Sequence, residues 1–300
     1  MSRELRFRPD GTFKIVQFTD MHFGDGSGED REKDERTAAL VEKVIASEKP
    51  DLVVLTGDLN WSEGVADPIA ACRRAIAPVI RSQVPWAAVF GNHDAEENVT
   101  RAELLAVWQD DDRCLSVAGP AGIGGTGNFA LTISKSDGSD GAALYFFDSG
   151  DYAPEPIGGY DWIRPGQVQW YTEQSRQYAE RNGGPLPSLA FFHIPFPEYE
   201  AAWSGEQVTG VKEESVECAK INGGMFGAMV QMGDVMGTFV GHDHDNDYCG
   251  TLYGIRLCYG RATGFNTYGK LTRGGRVIEL REGERSFDTW IVQDDGAVIR

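Results

Sequence analysis

Apolar residues gather in short β-rich runs: "FKIVQFTD", "DLVVLTGD", "PWAAVFGN", "AALYFFDS", "PSLAFFHI" and "GTFVGHDH". These runs are apolar throughout instead of alternating, which is the pattern of strands covered on both faces. Between them the period changes. In "KDERTAALVEKVIASEKP", Ala39, Leu40, Val44 and Ile45 recur near a 3.6-residue period until Pro50, predicting a helix that stops there. The stretches "PIAACRRAIAPVIRS", "TRAELLAVWQ" and "GQVQWYTEQSRQYAER" also read as helices. Strands alternating with helices predict mostly parallel order in the first part of the chain. After His244 the runs become short and Gly-separated ("YCGTLYGIRLCYG", "GRVIELREG", "FDTWIVQ"), predicting antiparallel strands. The expected fold class is α/β: two packed mixed sheets with helices outside, a four-layer α-β-β-α sandwich. No linker or repeat divides it, so a single domain over residues 1–300 is expected, with its core at 12–282. The glycines of "GIGGTG" follow no strand and precede no helix, so they read as a loop and not as a dinucleotide fingerprint.

Composition narrows the function classes. With 300 residues, 41% of them hydrophobic, the chain can bury a substantial core. A formal charge of −18 argues against nucleic-acid polymers as partners, because binding a phosphate backbone needs clustered Lys and Arg. The acids are spread along the chain, as on a well-solvated surface. No apolar run reaches the length of about 18 residues that a membrane span requires, and "MSRELRFRPDGTFKIVQ" lacks a signal-like stretch. A soluble, cytoplasmic protein without membrane partners is expected. Five cysteines, odd in number and without CxxC spacing, fit free or buried thiols of a reducing compartment. Cys249 and Cys258 flank a hairpin-like segment, which leaves a cross-strand bridge open as the alternative.

The chain has five histidines, and each follows a strand-like run. Asp20 and His22 follow "IVQFT", and His242 and His244 follow "GTFV". In an extended chain residues i and i+2 point to one side, so each pair can offer two donors to one ion. Asp58 follows "LVVLTG", where Gly57 permits close backbone approach. Asn92, His93 and Asp94 follow "AAVFG", and His193 follows "SLAFF". Taken singly, such a His is an ordinary core or surface residue and such an Asp a helix cap. Their joint placement at strand ends, where ligands of α/β sheets gather, points to a metal site.

In order and over most of the chain, "TDMH", "GDLN", "GNHD", "FFH" and "GHDH" resemble the five blocks of the calcineurin-like metallophosphoesterases. "YDWIRPGQVQWY", "FFHIPFPEY" and "YGRATGFNTYG" look similar to the branch related to the small purple-acid-phosphatase-like proteins of plants and fungi. The resemblance implies that Asp20, His22 and His244 bind one metal, that Asn92, His193 and His242 bind a second, and that Asp58 bridges them. It further implies that His93 faces the substrate, with Asp94 orienting it. Purple acid phosphatases place a metal-binding tyrosine three residues after the bridging aspartate; here that position is Trp61, so no iron-tyrosinate chromophore is expected.

Mixed nitrogen and oxygen donors suit two divalent Mn, Fe or Zn ions better than Ca. Two such ions carry more positive charge than Asp20 and Asp58 neutralise, which suits a phosphate dianion. An ion pair about 3.5–4 Å apart lowers the pKa of a bridging water enough to supply hydroxide for in-line attack on phosphorus. His93 would assist the leaving group, and Arg261, Asn266, Tyr160 and Trp162 are softer substrate-side candidates. Asp148 and Asp243 are candidates for orienting the ligating imidazoles.

The expected function is therefore metal-dependent hydrolysis of phosphomonoesters, carried by a phosphorylated small molecule or a phosphoprotein. A phosphodiesterase acting on a small diester or cyclic nucleotide is the alternative on the same metal core. A nuclease lacks its basic stripe here, and a non-catalytic scaffold would be expected to have lost ligands.

Overall fold

The computed structural model describes residues 4–205 and 207–300. The first half of the chain runs β1 (Leu5–Arg6), β2 (Thr12–Phe18), α1 (Gly28–Glu48), β3 (Leu52–Thr56), α2 (Pro68–Ser82), β4 (Trp86–Val89), α3 (Arg101–Gln109), β5 (Phe129–Ser134) and β6 (Asp140–Phe146). Then come α4 (Pro165–Asn182), β7 (Ser188–Phe191), α5 (Glu198–Trp203), β8 (Val208–Thr209), α6 (Met225–Met232) and β9 (Val235–Val240). The chain ends with β10 (Cys249–Leu252), β11 (Ile255–Tyr259), β12 (Gly274–Arg281), β13 (Phe287–Gln293) and β14 (Val298–Ile299).

The strands form two mixed sheets, one ordered β1-β5-β6-β7-β9-β11-β10-β8 and the other β14-β13-β12-β2-β3-β4. Their facing sides share one apolar layer, in which Ile15, Leu52, Val54 and Val89 of the six-stranded sheet meet Phe146, Leu189, Phe191 and Phe239 of the eight-stranded one. The opposite face of the six-stranded sheet (Val16, Val53, Leu55, Ala88) packs on Leu40, Val44 and Ile76 of α1 and α2 and on Leu104 of α3. Tyr145, Ala190 and Val240 do the same against Tyr171 of α4, Tyr199 of α5 and Met229 of α6. This is the expected four-layer order. It explains why the central strands are apolar on both sides, since both of their faces are covered.

The helices start where local chemistry permits. Asp67 caps α2 by accepting from the Ala70 amide, with Pro68 in the first turn, and Thr100 and Glu103 form a reciprocal capping box on α3. The expected parallel order holds for β2-β3-β4 and for β6-β7-β9. After His244 one strand departs from expectation: β11 is antiparallel to β10 but parallel to β9. The sheet also runs past the expected core limit of residue 282, because β13 pairs with β12 from Gly274 to Leu280.

The free-thiol expectation for Cys249 and Cys258 is corrected. A two-residue turn at Tyr253 (φ 48°) and Gly254 (φ 84°) sets a hairpin register that places the two cysteines directly opposite, with Cα atoms 4.1 Å apart, and a disulfide joins them. Cys72, Cys114 and Cys218 are free. No helix among the described residues is long and apolar enough to cross a membrane.

Candidate metal centre and active site

Five strands end against one another at the rim of the two sheets. Asp20 and His22 follow β2, Asp58 follows β3 and Asn92–Asp94 follow β4, all from the six-stranded sheet. His193 follows β7, and His242 and His244 follow β9, from the eight-stranded one. Below them Gln17 ties the sheets together, its amide donating to Thr56 Oγ1 (2.8 Å) and to the Val240 carbonyl (3.0 Å).

Asp20, His22 and His244 form one buried group of donors, and Asp58, His193 and His242 form another. Within each group the candidate ligand atoms lie within 4.8 Å of one another, and each group draws on both sheets. His22 Nε2 and His244 Nε2 are 3.3 Å apart, and so are His242 Nδ1 and His193 Nε2. Asp58 Oδ2 lies 3.1 Å from His193 Nε2 and 3.7 Å from His22 Nε2, between the two groups. Asp20 Oδ1 is 3.3 Å from His244 Nε2.

Outer partners fix which ring nitrogen faces inward. His193 Nδ1 donates to the Thr56 carbonyl (2.7 Å) and His244 Nδ1 to the Tyr268 carbonyl (3.2 Å), so that both Nε2 atoms face inward. His22 packs on Trp61 with ring centroids 4.2 Å apart, and His242 packs edge-on against Tyr160 at 4.3 Å. The Asn92 amide nitrogen donates to the Tyr152 hydroxyl (3.2 Å), while its buried Oδ1 has no protein partner. Converging imidazole nitrogens, two carboxylates and an orphaned amide oxygen fit the donor set of transition-metal ions.

The backbone reaches this arrangement differently from expectation. Asp20 (φ 53°), His22 (φ 49°), Asp58 (φ 52°) and His242 (φ 79°) all lie in the left-handed region, so tight turns and not extended i, i+2 strands present these donors, and His242 and His244 fall in different groups instead of serving one ion. Glycines make room for the turns. A Cβ on Gly91 would stand 2.1 Å from Asp58 Oδ1, and one on Gly241 1.9 Å from Thr19 Oγ1.

The expectation that Asp94 orients His93 is corrected. The Asp94 carboxylate turns back under the strand ends and accepts the amides of Gly91 (2.7 Å), Leu59 (2.8 Å) and Asp58 (2.9 Å), which point inward with no other acceptor. It holds the turn that carries Asp58, while Glu96 contacts the His93 ring instead, Nδ1 to Oε1 at 2.9 Å. Arg261 is likewise not on the substrate side. It is buried, pairing with the buried Asp247 and donating to the Thr272 carbonyl, because an internal carboxylate needs a countercharge. Asp148 binds Arg101 and Asp243 accepts from Tyr259 and Asn246, so neither orients a ligating imidazole. Trp162 stacks under Arg164. Tyr160 does stand beside the centre, and Asn266 holds Trp61 through its carbonyl (3.1 Å). Tyr152 and Glu96 are the neighbours that the sequence reading missed; three-residue spacing from His93 is the only signal that pointed to Glu96.

The electrostatics of the metal-free chain follow from burial against neighbouring charge. Burial favours the neutral ring and holds His22 and His242 down at about 3, leaving lone pairs free for ligation. For His193 burial is outweighed by the adjacent Asp58 carboxylate, which raises it to about 9. Burial pushes the Asp20 carboxyl up, but His244 and His193 together bring it to about 2. An ion binding at His193 must therefore displace a proton below about pH 9. Metal affinity is expected to rise with pH up to that value and to level off above it. Calorimetric Mn titrations in buffers of different ionisation enthalpy at neutral pH should show proton release, and a pH-independent affinity would contradict the assignment.

A family model described as calcineurin-like phosphoesterase matches residues 13–246. The chain belongs to that family. It is 38% identical to "Probable inactive purple acid phosphatase 29" of Arabidopsis thaliana, over 98% of this chain and 85% of the relative. It is 32% identical to "Phosphatase DCR2" of Saccharomyces cerevisiae, over 96% of this chain but 55% of that longer protein. Among solved structures, a dimetal phosphatase from Danio rerio superposes with a TM-score of 0.60 over 92% of this chain and 98% of its own, at 14% identity. That likeness is one of fold, and it accords with the two mixed sheets of this calcineurin-like chain.

Proposed function

We propose that this calcineurin-like protein is a dinuclear metal-dependent phosphoesterase whose preferred substrates are phosphomonoesters, on small molecules or phosphoproteins. The observation that carries the reading is the position of Asp58 Oδ2 between imidazoles of both donor groups, 3.1 and 3.7 Å away, as a bridging ligand requires. Asp20, His22 and His244 would hold one ion, and Asn92, His193 and His242 the other. When bound, two divalent ions supply a low-pKa water and positive charge for the phosphoryl oxygens. His93, part-exposed beside the centre, would protonate the leaving oxygen or donate a hydrogen bond to it. Tyr160 and Asn266 would wall the approach. Three relatives' names carry the word "inactive"; against its transfer to this chain stands the full set of candidate donors.

One observation favours a second reading. With Arg261 committed to Asp247, the wall offers less charge for a dianion than expected, which suits a diester. Initial rates on p-nitrophenyl phosphate and bis(p-nitrophenyl) phosphate, after separate reconstitution with Mn, Zn and Fe, test both. Faster monoester cleavage, lost on chelation, is expected; faster diester cleavage would replace the monoesterase by the diesterase. Absence of turnover with two ions bound would overturn both.

A further inference from the structure

We propose that Glu96 is the positioning residue for His93, and that the Tyr152 hydroxyl ties this pair to Asn92. The inference rests on the phosphoesterase reading and adds to it the group that aims the proton donor. Glu96 Oε1 accepts from His93 Nδ1 at 2.9 Å and from the Tyr152 hydroxyl at 2.7 Å, and that hydroxyl accepts from Asn92 Nδ2 at 3.2 Å. The chain of contacts therefore runs from a candidate ligand to the candidate acid through one carboxylate.

The loop bearing the pair is held on its own account. Ser62 Oγ donates to the His93 carbonyl (2.7 Å) and accepts the Glu96 amide (2.6 Å), fixing the backbone at both ends of the turn. The Glu96 side chain is 10% exposed, so the contact is not a loose surface ion pair. Other candidates for the task are already engaged. The Asp94 carboxylate takes backbone amides, and Trp61, packed on His93 at 4.5 Å, spends its only side-chain donor on the Asn266 carbonyl. With Nδ1–H donated to Glu96, the ring can turn only Nε2 toward the reacting group.

In the step this geometry serves, a water-derived oxygen bonds to phosphorus as the P–O bond to the leaving group breaks. The bonding pair stays on the leaving oxygen, and the His93 Nε2 proton joins it. The neutral ring afterwards regains a proton from solvent. The Glu96 carboxylate holds the doubly protonated ring in place before transfer. An alkoxide needs that proton far more than p-nitrophenolate does, so the effect of Glu96 depends on the leaving group.

The test compares the full-length holoprotein with Glu96→Gln on p-nitrophenyl phosphate and on an alkyl phosphate such as glycerol 2-phosphate. Metal content is measured by mass spectrometry. The expected result is unchanged metal content and a kcat loss at least about tenfold greater for the alkyl ester. Equal losses on both esters, or none, would overturn the role. A second readout needs no turnover: in metal-free protein labelled with 15N-histidine, the His93 Nδ1–H signal, assigned with His93→Asn, should shift in Glu96→Gln. An unshifted signal overturns the proposal. Should the wild type cleave neither ester, the phosphoesterase reading fails separately, and the His93 signal still decides whether Glu96 holds the ring.

Discussion

The Asp58→Asn protein is expected to hold fewer than two ions per chain and to turn over at least about 10³-fold more slowly, a loss of about 4 kcal/mol in transition-state stabilisation. Asp58 presents one oxygen to His193 and His22, and the other to the His93 amide at 2.9 Å. Asparagine can keep the amide contact, so the turn should survive. What it lacks is the negative charge between two groups of imidazoles, and its NH2 cannot ligate. Removal of an outer partner alone typically weakens metal binding 10–100-fold, and a bridging ligand serves both ions at once. Metal content after dialysis, beside initial rates, makes the comparison. Two retained ions would remove Asp58 from the bridging position.

His93→Asn should behave in the opposite way toward metal. Its backbone amide still donates to Asp58 and its carbonyl still accepts from Ser62, so both ions are expected to stay while turnover falls about 10²–10⁴-fold. The contrast separates a ligand from a proton donor: one variant loses ions and rate together, the other only rate. Full activity in His93→Asn would exclude the ring from the chemistry, and loss of metal would make it a ligand.

The layered architecture was legible because burial leaves a simple trace. β3, with Leu52 to Leu55 covered on both faces, reads as a strand from hydrophobicity alone, and α2 falls where its period predicts. β5 was harder to see, since its middle residues are only half buried and its run is correspondingly mixed. The short α5 and α6 carry too few turns to show a period. At the centre, residue types at strand ends pointed to a metal site, and the resemblance divided Asp20, His22, Asp58, His193, His242 and His244 between the two donor groups that the structure shows. Side-chain direction was not legible. Asp94 and Arg261 are plausible by type, but their orientations are set by unpaired amides and by Asp247, which are remote in sequence or belong to the backbone. Left-handed turns at Asp20, His22 and His242 were equally hidden, because only a glycine there would have announced them.

Each donor group takes residues from both sheets. An ion seated in either group therefore recognises the assembled sandwich and not one sheet by itself. Such an ion acts as a cross-brace, adding about 4 kcal/mol to the folded state when its free concentration is a thousandfold above its dissociation constant. Metal supply would then govern how long the chain resists proteolysis as well as how fast it turns over, and a starved protein would lose its rim before its apolar middle.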